Sequence, residues 1–414
     1  MTNIHFSDTV ITGGGPAGLF CALRLTEAGI PVTLYDRMET PGRKFILAGL
    51  TGGLNITNSA SPAAFAEKYY ENSSLFSSLL KDFSPEDTAD WYRQLGSGSF
   101  RGNGGKIYAS ETAEKILENW LERLNRTGLF RFCGNREFVS VEKAGNRILL
   151  TFRAAGPEEA GELIRTECIH AVFAMGGGSR SKTGSDGSWT KAFEAAGIKV
   201  NPLKPANCAV LVNWSDRFRE RIKESSRSEE VIFSADGIRS TGEAVFTEYG
   251  IEGSGIYSLV HGIRGRLEKG ESCTVNADLL PGLTEEKIRE KLSRPKGKSS
   301  LSNYLRKSLK LSGTRFLLLK ELATAEELSS IESNPALFKN LKIRITGLGS
   351  LEEAISSAGG VSFEELDENL MLRKFPGIYV IGEMADWEAP TGGYMLQGCF
   401  SMAYRAAGAI IGHT

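Results

Sequence analysis

Several large functional classes are excluded by what this 414-residue chain lacks. No uninterrupted apolar stretch approaches the ~20 residues that a membrane-crossing helix needs. Met1 to Asp8 is too polar, and too poor in basic residues, for an export signal. Neither sign of charge is in excess: 49 Lys and Arg stand against 50 Asp and Glu, a formal net charge of -1. That balance argues against a chain built mainly to hold nucleic acid or an anionic membrane surface. The six cysteines (Cys21, Cys133, Cys168, Cys208, Cys273 and Cys399) form no C-x-x-C pair, so a dithiol redox centre is not expected. No Cys/His cluster has zinc-ligand spacing, and two of the four histidines, His5 and His413, lie near the termini, so no metal site is expected. The cysteines read as free thiols of a cytoplasmic protein. Internal repeats, low-complexity tracts and coiled-coil heptads are also missing.

Glycine, in contrast, is plentiful, with 47 residues, and its placement carries most of the information. Thr9 to Thr12 reads as a strand, Gly13 to Gly18 as a turn, and Ala17 to Ala28 as a helix ending at Gly29; Pro31 to Tyr35 follows as a second strand and stops at Asp36. Within that βαβ opening, Gly13, Gly15 and Gly18 satisfy G-x-G-x-x-G. Gly13 permits the turn, Gly15 leaves the backbone bare for a pyrophosphate, and Gly18 lets helix and sheet pack closely. Gly14, Pro16 and Ala17 fill the same turn, whose N–H groups and positive helix end favour phosphate. Asp36, about 20 residues on, is placed to accept from ribose hydroxyls.

The rest of the chain reads as a doubly wound α/β domain interrupted by an insertion. Helices are predicted at Pro62–Tyr70, Ser74–Lys81, Pro85–Leu95 and Ser110–Thr127, antiparallel strands at Phe130–Phe132, Arg136–Lys143 and Arg147–Arg153, and a short apolar strand at His170–Ala174. From about Asn201 the pattern turns β-rich, then helical and highly charged between Thr284 and Asn340, before the chain rejoins the first domain near Ser350. The expected division is a dinucleotide-binding Rossmann-type domain at 1–200 and 347–414, an inserted β-rich domain at 201–282 and 341–346, and a helical subdomain at 283–340.

A closing strand, Gly377 to Ile381, leads into Gly382-Glu383 and then Thr391-Gly392-Gly393-Tyr394-Met395 at the start of a final helix. A carboxylate at a strand's carboxyl end lies at the crevice where ligands bind in open α/β sheets. A helix N-terminus beside it favours the charge that a reduced flavin gathers near N1 and O2. An N-terminal βαβ unit matched to such a C-terminal strand, loop and helix implies one long ligand spanning both, which predicts FAD rather than NAD. Arg43 and Lys44 could offset phosphate or flavin charge, and Asn55 and Thr57 could donate from a glycine-rich loop. Gly176 and Gly177 end a strand where backbone approaches a ligand or a neighbouring segment. Arg37, beside Asp36, and Phe138 and Val139, on the strand Arg136–Lys143, complete the candidate contacts.

Taken together, these motifs resemble the BaiN-like (YhiN-like) bacterial flavoproteins, relatives of the aminoacetone-oxidase-like FAD enzymes. The resemblance rests on GGGPAGL at Gly13–Leu19, GRKFILAG at Gly42–Gly49, LNITNS at Leu54–Ser59, KTGSDG at Lys182–Gly187 and GIYVIGE…PTGGYMLQ from Gly377 to Gln397. It implies a glutathione-reductase-like FAD domain with an inserted β-barrel-like domain and a helical part, in NAD(P)H-linked reductases or oxidases. It also implies cofactor contacts at Gly13, Gly15, Pro16, Ala17, Asp36, Lys44, Asn55, Thr57, Gly382, Glu383, Gly393 and Met395. Many members carry Arg-Cys-Asn in the glycine-rich loop, where this chain reads Gly53-Leu54-Asn55, so no arginine role carries over.

The expected activity is hydride exchange between flavin N5 and a small organic substrate lying between the FAD domain and the insert. NADH or NADPH would be a transient donor, because no second strand–GxGxxG–helix unit exists. Oxidation of the substrate by oxygen is the alternative. No side chain stands out as a catalytic acid or base; Tyr394, Glu383 and Arg43 are the places to look. A third alternative is an RNA- or protein-interaction module using the basic stretch that includes Arg289, Lys291, Arg294, Lys296, Lys298, Arg306, Lys307 and Lys310.

Overall fold

Residues 4–50, 52–156, 161–225, 228–293 and 296–413 are described by a computed structural model of the chain. It divides into two units, one of Met1–Lys204 with Ile355–Thr414 and the other of Pro205–Ala354.

In the first unit the strands are β1 (Ile4–Thr12), β2 (Val32–Tyr35), β3 (Asn55–Asn58), β4 (Ser99–Arg101), β5 (Lys106–Ala109), β6 (Phe130–Cys133), β7 (Arg136–Ala144), β8 (Arg147–Ala154), β9 (Leu163–Phe173), β10 (Val200–Ala206), β11 (Ser356–Val361) and β12 (Ile378–Val380). The main sheet runs β6-β2-β1-β9-β8-β7, with β12 also paired to β9. Strands β6, β2, β1, β9 and β12 are parallel, whereas β7 and β8 form an antiparallel meander on β9. Strand β9 is much longer than the His170–Ala174 expected from its apolar end. Its first half alternates Leu163-Ile164-Arg165-Thr166-Glu167, pairing β8 along one edge, while Ala171 to Phe173 pair β12.

Register aligns the carboxyl ends of the central strands. Thr12 lies opposite both Tyr35 and Phe173, and Phe173 lies opposite Val380. The loops that leave these four strands therefore open into one crevice. Helix α1 (Pro16–Glu27) packs against the long C-terminal helix, and Arg43 and Lys44 open a short helix, α2 (Arg43–Gly49). The α3 helix (Ala113–Arg126) buries Ile116, Leu117, Trp120 and Leu124, the apolar stripe its spacing predicts. The C-terminal helix is α4 (Tyr394–His413); its Phe400 joins Phe20, Trp91 and Trp120 in an aromatic cluster. Strands β3, β5 and β4 form a separate small sheet.

The second unit is built on an antiparallel sheet in the order Leu341–Ile345, Cys273–Asp278, Ser228–Ala235, Ile238–Phe246, Gly250–Glu252, Val210–Leu211, Gly347–Leu348. Its first and last members are halves of one segment, so the series returns on itself like a barrel. The helical stretch expected to stand apart as 283–340 shares this core: Ile288, Leu305, Leu318 and Leu319 are buried with Val231, Phe233 and Val275. Two units rather than three follow, because amphipathic helices this short bury their apolar faces on the nearest sheet.

Candidate active site

The crevice begins where β1 ends. Gly13 turns at φ +107°, and a Cβ there would lie 2.3 Å from the Ala174 carbonyl oxygen. A Cβ on Gly18 would come 2.0 Å from the Gly13 carbonyl oxygen. Both glycines are therefore demanded by packing. Gly15 is different: its φ is an ordinary -77°, and a Cβ would meet nothing within 4 Å. The space beside Gly15 belongs to the crevice, and no side chain caps the helix that starts there. Free N–H groups of a first turn facing an open space bind an anion.

Asp36 sits at the end of β2. Its carboxylate accepts from Gly14 N at 2.5 Å and from Met38 N at 2.7 Å, which fixes it at the rim of the turn. Burial pushes this carboxyl above its ordinary value, against the opposing pull of the two backbone donors. Each oxygen retains a lone pair for a ribose hydroxyl. Beside it Arg37 is ion-paired to Asp186.

On the opposite wall, Lys44 on α2 reaches Ser179 Oγ at 2.8 Å and Glu383 Oε2 at 2.9 Å. Glu383 Oε1 accepts from the Ser357 backbone N at 2.8 Å and from Ser357 Oγ at 3.2 Å. Glu383 is thus anchored by donors on both of its oxygens, and Lys44 holds it in place. A Cβ on Gly382 would lie 2.9 Å from Ala17 Cβ and 3.7 Å from Cys399 Sγ, so the two ends of the chain meet here. Burial pushes the Cys399 thiol up to about 12, which keeps it protonated and non-nucleophilic.

Thirteen of the sequence-derived candidates line this one crevice: Gly13, Gly14, Gly15, Pro16, Ala17, Asp36, Arg37, Arg43, Lys44, Phe138, Gly176, Gly382 and Glu383. The remaining seven (Asn55, Thr57, Val139, Gly177, Gly393, Tyr394 and Met395) do not. Gly177 packs under Glu383, where a Cβ would collide with Ser357 Oγ, and Val139 occupies a bulge in β7. Thr57 spends its hydroxyl on Gln397 at 2.7 Å. The Tyr394 ring lies in the core against Phe65, with its backbone oxygen accepting from Tyr69 at 2.8 Å; it is no candidate acid or base. Gly393, at φ +94°, lets α4 begin hard against β3, since a Cβ would sit 2.2 Å from the Thr57 carbonyl oxygen.

Sequence reasoning missed Thr12, Ser185 and Trp189 on the crevice wall. Thr12 Oγ1 and Ser185 Oγ are buried with no protein partner, which fits hydroxyls awaiting a polar ligand. Trp189 donates its indole N–H to the Gly176 oxygen at 2.9 Å and so shapes that wall. These residues, with a bare helix start and a buried acid at the end of β2, fit a dinucleotide such as FAD.

A family model described as HI0933-like protein Rossmann domain matches residues 7–409. The chain is 25% identical over 409 residues to a ribosomal RNA dihydrouridine synthase of Escherichia coli (strain K12), covering 97% of each chain. It is also 25% identical over 420 residues to a 3-dehydro-bile acid delta(4,6)-reductase of Clostridium scindens, covering 96% of this chain and 97% of that one. In fold it is similar to the 3-ketosteroid-delta4-(5alpha)-dehydrogenase of Rhodococcus jostii RHA1, with a TM-score of 0.54 and 13% identity over 98% of this chain and 97% of that one. It is similar as well to a quinol fumarate reductase of E. coli, with a TM-score of 0.51 and 13% identity over 100% of this chain and 71% of that one.

Proposed function

The chain belongs to the HI0933-like family, with its Rossmann-type FAD-binding domain, and from that premise we propose that it reduces a carbon–carbon double bond conjugated to a carbonyl, with NADH or NADPH as transient electron donor. One observation carries the cofactor part of this reading: Gly15, beside the bare start of α1, and Glu383, at the end of the last strand, line the same crevice. An extended dinucleotide is the ligand that needs both.

Bound FAD would supply two-electron chemistry between the nicotinamide and the substrate. The chain's own residues hold it there. The first turn of α1 takes the phosphates, Asp36 the adenosine ribose, and the Lys44–Glu383 pair a ribityl hydroxyl. The names of two relatives supply the reaction class. A dihydrouridine synthase and a delta(4,6)-reductase both saturate carbon–carbon bonds conjugated to a carbonyl.

The test is spectroscopic. Purified protein should show oxidised-flavin bands, anaerobic NADH or NADPH should bleach them, and a conjugated dienone should restore them faster than air does. Rapid return in air alone, with no response to the dienone, would favour an oxidase. A colourless protein that refuses added FAD removes the reading altogether.

RNA as the carrier of the reducible ring is favoured by a separate observation in the second unit. Residues 287–310 hold nine Lys and Arg against one acid, Glu290. Lys287, Lys291, Lys296, Lys298, Arg306 and Lys307 are all exposed, and among the described residues none is held by a carboxylate. Binding of an RNA oligomer that weakens steeply as salt rises supports this reading; absence of binding at low salt eliminates it.

A further inference from the structure

A second cavity opens in the first unit, about 270 Å³ in volume, and it shares no lining residue with the crevice. It lies among α1, α3, α4 and the helix Pro85–Gln94, with Asp82 and Phe83 just ahead of that helix. An apolar hole of ~150 Å³ takes a benzene ring, so this one has room for a ring with a polar tail.

One wall is aromatic and continuous. Tyr404 stacks on Phe83 with centroids 5.3 Å apart, Phe83 meets Phe20 at 5.0 Å, and Phe20 meets Trp91 at 4.9 Å. All four rings line the cavity. Such a wall favours a flat, apolar body.

The polar groups around it are unevenly engaged. Glu27 pairs with Arg123, Asp82 with Arg405 and Asp90 with Arg93. Asp87 accepts from the Ser84 backbone N at 2.8 Å and from its hydroxyl at 2.7 Å, within the cap of its own helix. Arg24 is different. Its guanidinium lies 4.8 Å from the centre of the Tyr404 ring, and among the described residues its side chain has neither an ion pair nor a hydrogen bond. Trp91, only 6% exposed, adds an indole N–H with no acceptor among the described residues. The carboxylates of this cavity are thus supplied with donors, whereas a guanidinium fork and a buried N–H lack an acceptor.

We propose that this cavity is a second binding site, for a small aromatic carboxylate. The ring lies on the wall of Phe20, Phe83 and Tyr404, and the carboxylate takes the Arg24 fork and the Trp91 N–H. The site is separate from that of FAD, since Arg24 lies about 13 Å along α1 from Gly15 at the crevice.

Three probes that share a ring and differ in head charge make the test: 3-phenylpropionate, 3-phenylpropanamide and 3-phenylpropylamine. Each is titrated calorimetrically into the FAD-loaded protein. The acid is expected to bind with a dissociation constant of about 1 mM or below, ~10-fold tighter than the amide, and the amine not at all. Arg24→Gln should weaken the acid ~10-fold and leave the amide as it was. Trp91→Phe, which keeps a ring and removes the N–H, should weaken the acid ~3- to 10-fold. Both variants should retain FAD affinity and melting temperature. No binding of the acid up to about 10 mM overturns the proposal. Equal affinity for acid and amide, tighter binding of the amine, or unchanged acid affinity in both variants does the same. Protein stripped of FAD should give the same constants; an acid that binds only there occupies the crevice, which also overturns the proposal. If Arg24→Gln fails to fold, Trp91→Phe and the comparison of acid with amide decide the matter.

Discussion

Gly13, Gly15 and Gly18 look equivalent in the sequence motif, yet the structure gives them unequal jobs. Gly15→Ala meets open space and an ordinary backbone, so the fold should keep its melting temperature to within a degree or two while FAD affinity drops ~10- to 100-fold. Gly18→Ala forces a backbone collision and should lower the melting temperature strongly, as a thermal scan would show. Protonation offers further checks at this scale. Burial pushes the Cys21 and Cys168 thiols up to about 12, so an aromatic disulfide reagent at pH 8 should leave both unmodified until denaturant is added. Burial alone would lift the Asp186 carboxyl, but the hydrogen bonds from Arg37 and Ser188 outweigh it and hold the group below its ordinary value. A carboxyl depressed in the folded state stabilises the fold above its unfolded pKa, and that contribution disappears as pH falls through the folded value. Asp186→Asn should therefore flatten the acid limb of stability against pH below about pH 4. Asp36 and the glycine motif were legible because backbone geometry restricts which residues can serve there. Thr12 and Ser185 were not, since an isolated hydroxyl carries no signal until folding strips it of partners.

Among the elements, a buried amide on the long helix α4 gathers bonds from several neighbouring segments of its unit. Gln397 Oε1 accepts from Thr57 at 2.7 Å and from Thr88 at 2.8 Å, while its Nε2 donates to the Phe83 oxygen at 3.0 Å and to Ser401 Oγ at 3.1 Å. Replacing it with Leu strands several buried polar groups, and denaturant titration should record a loss of about 2–4 kcal/mol. The amphipathic helices were legible from periodicity, α3 above all. The hairpin of β4 and β5 was not, because Gly102-Asn103-Gly104-Gly105 and short polar strands carry little hydrophobic alternation. Helix α2 escaped notice for a similar reason: Arg43 and Lys44 open it, and its only buried residue is Phe45.

For the molecule as a whole, two separate hydrophobic cores imply two cooperative melting events. Ligand that binds only the folded first unit should raise its transition alone, by about 2.7 kcal/mol at a hundredfold excess over Kd. Calorimetry with and without FAD would show it, and equal movement of both transitions would contradict it. The insertion was legible as a change of character near Asn201. The sharing of one core by its sheet and helices was not, because it depends on contacts between segments distant in sequence.

The first unit is discontinuous, made of Met1–Lys204 and Ile355–Thr414, and the latter carries Glu383 and α4. During synthesis the glycine turn leaves the ribosome first, and Glu383 on the opposite wall of the crevice emerges about 370 residues later, at a few to twenty residues per second. A nascent chain arrested before β12 should thus stay colourless in cofactor-rich lysate, because the crevice has one wall only until Glu383 has been made.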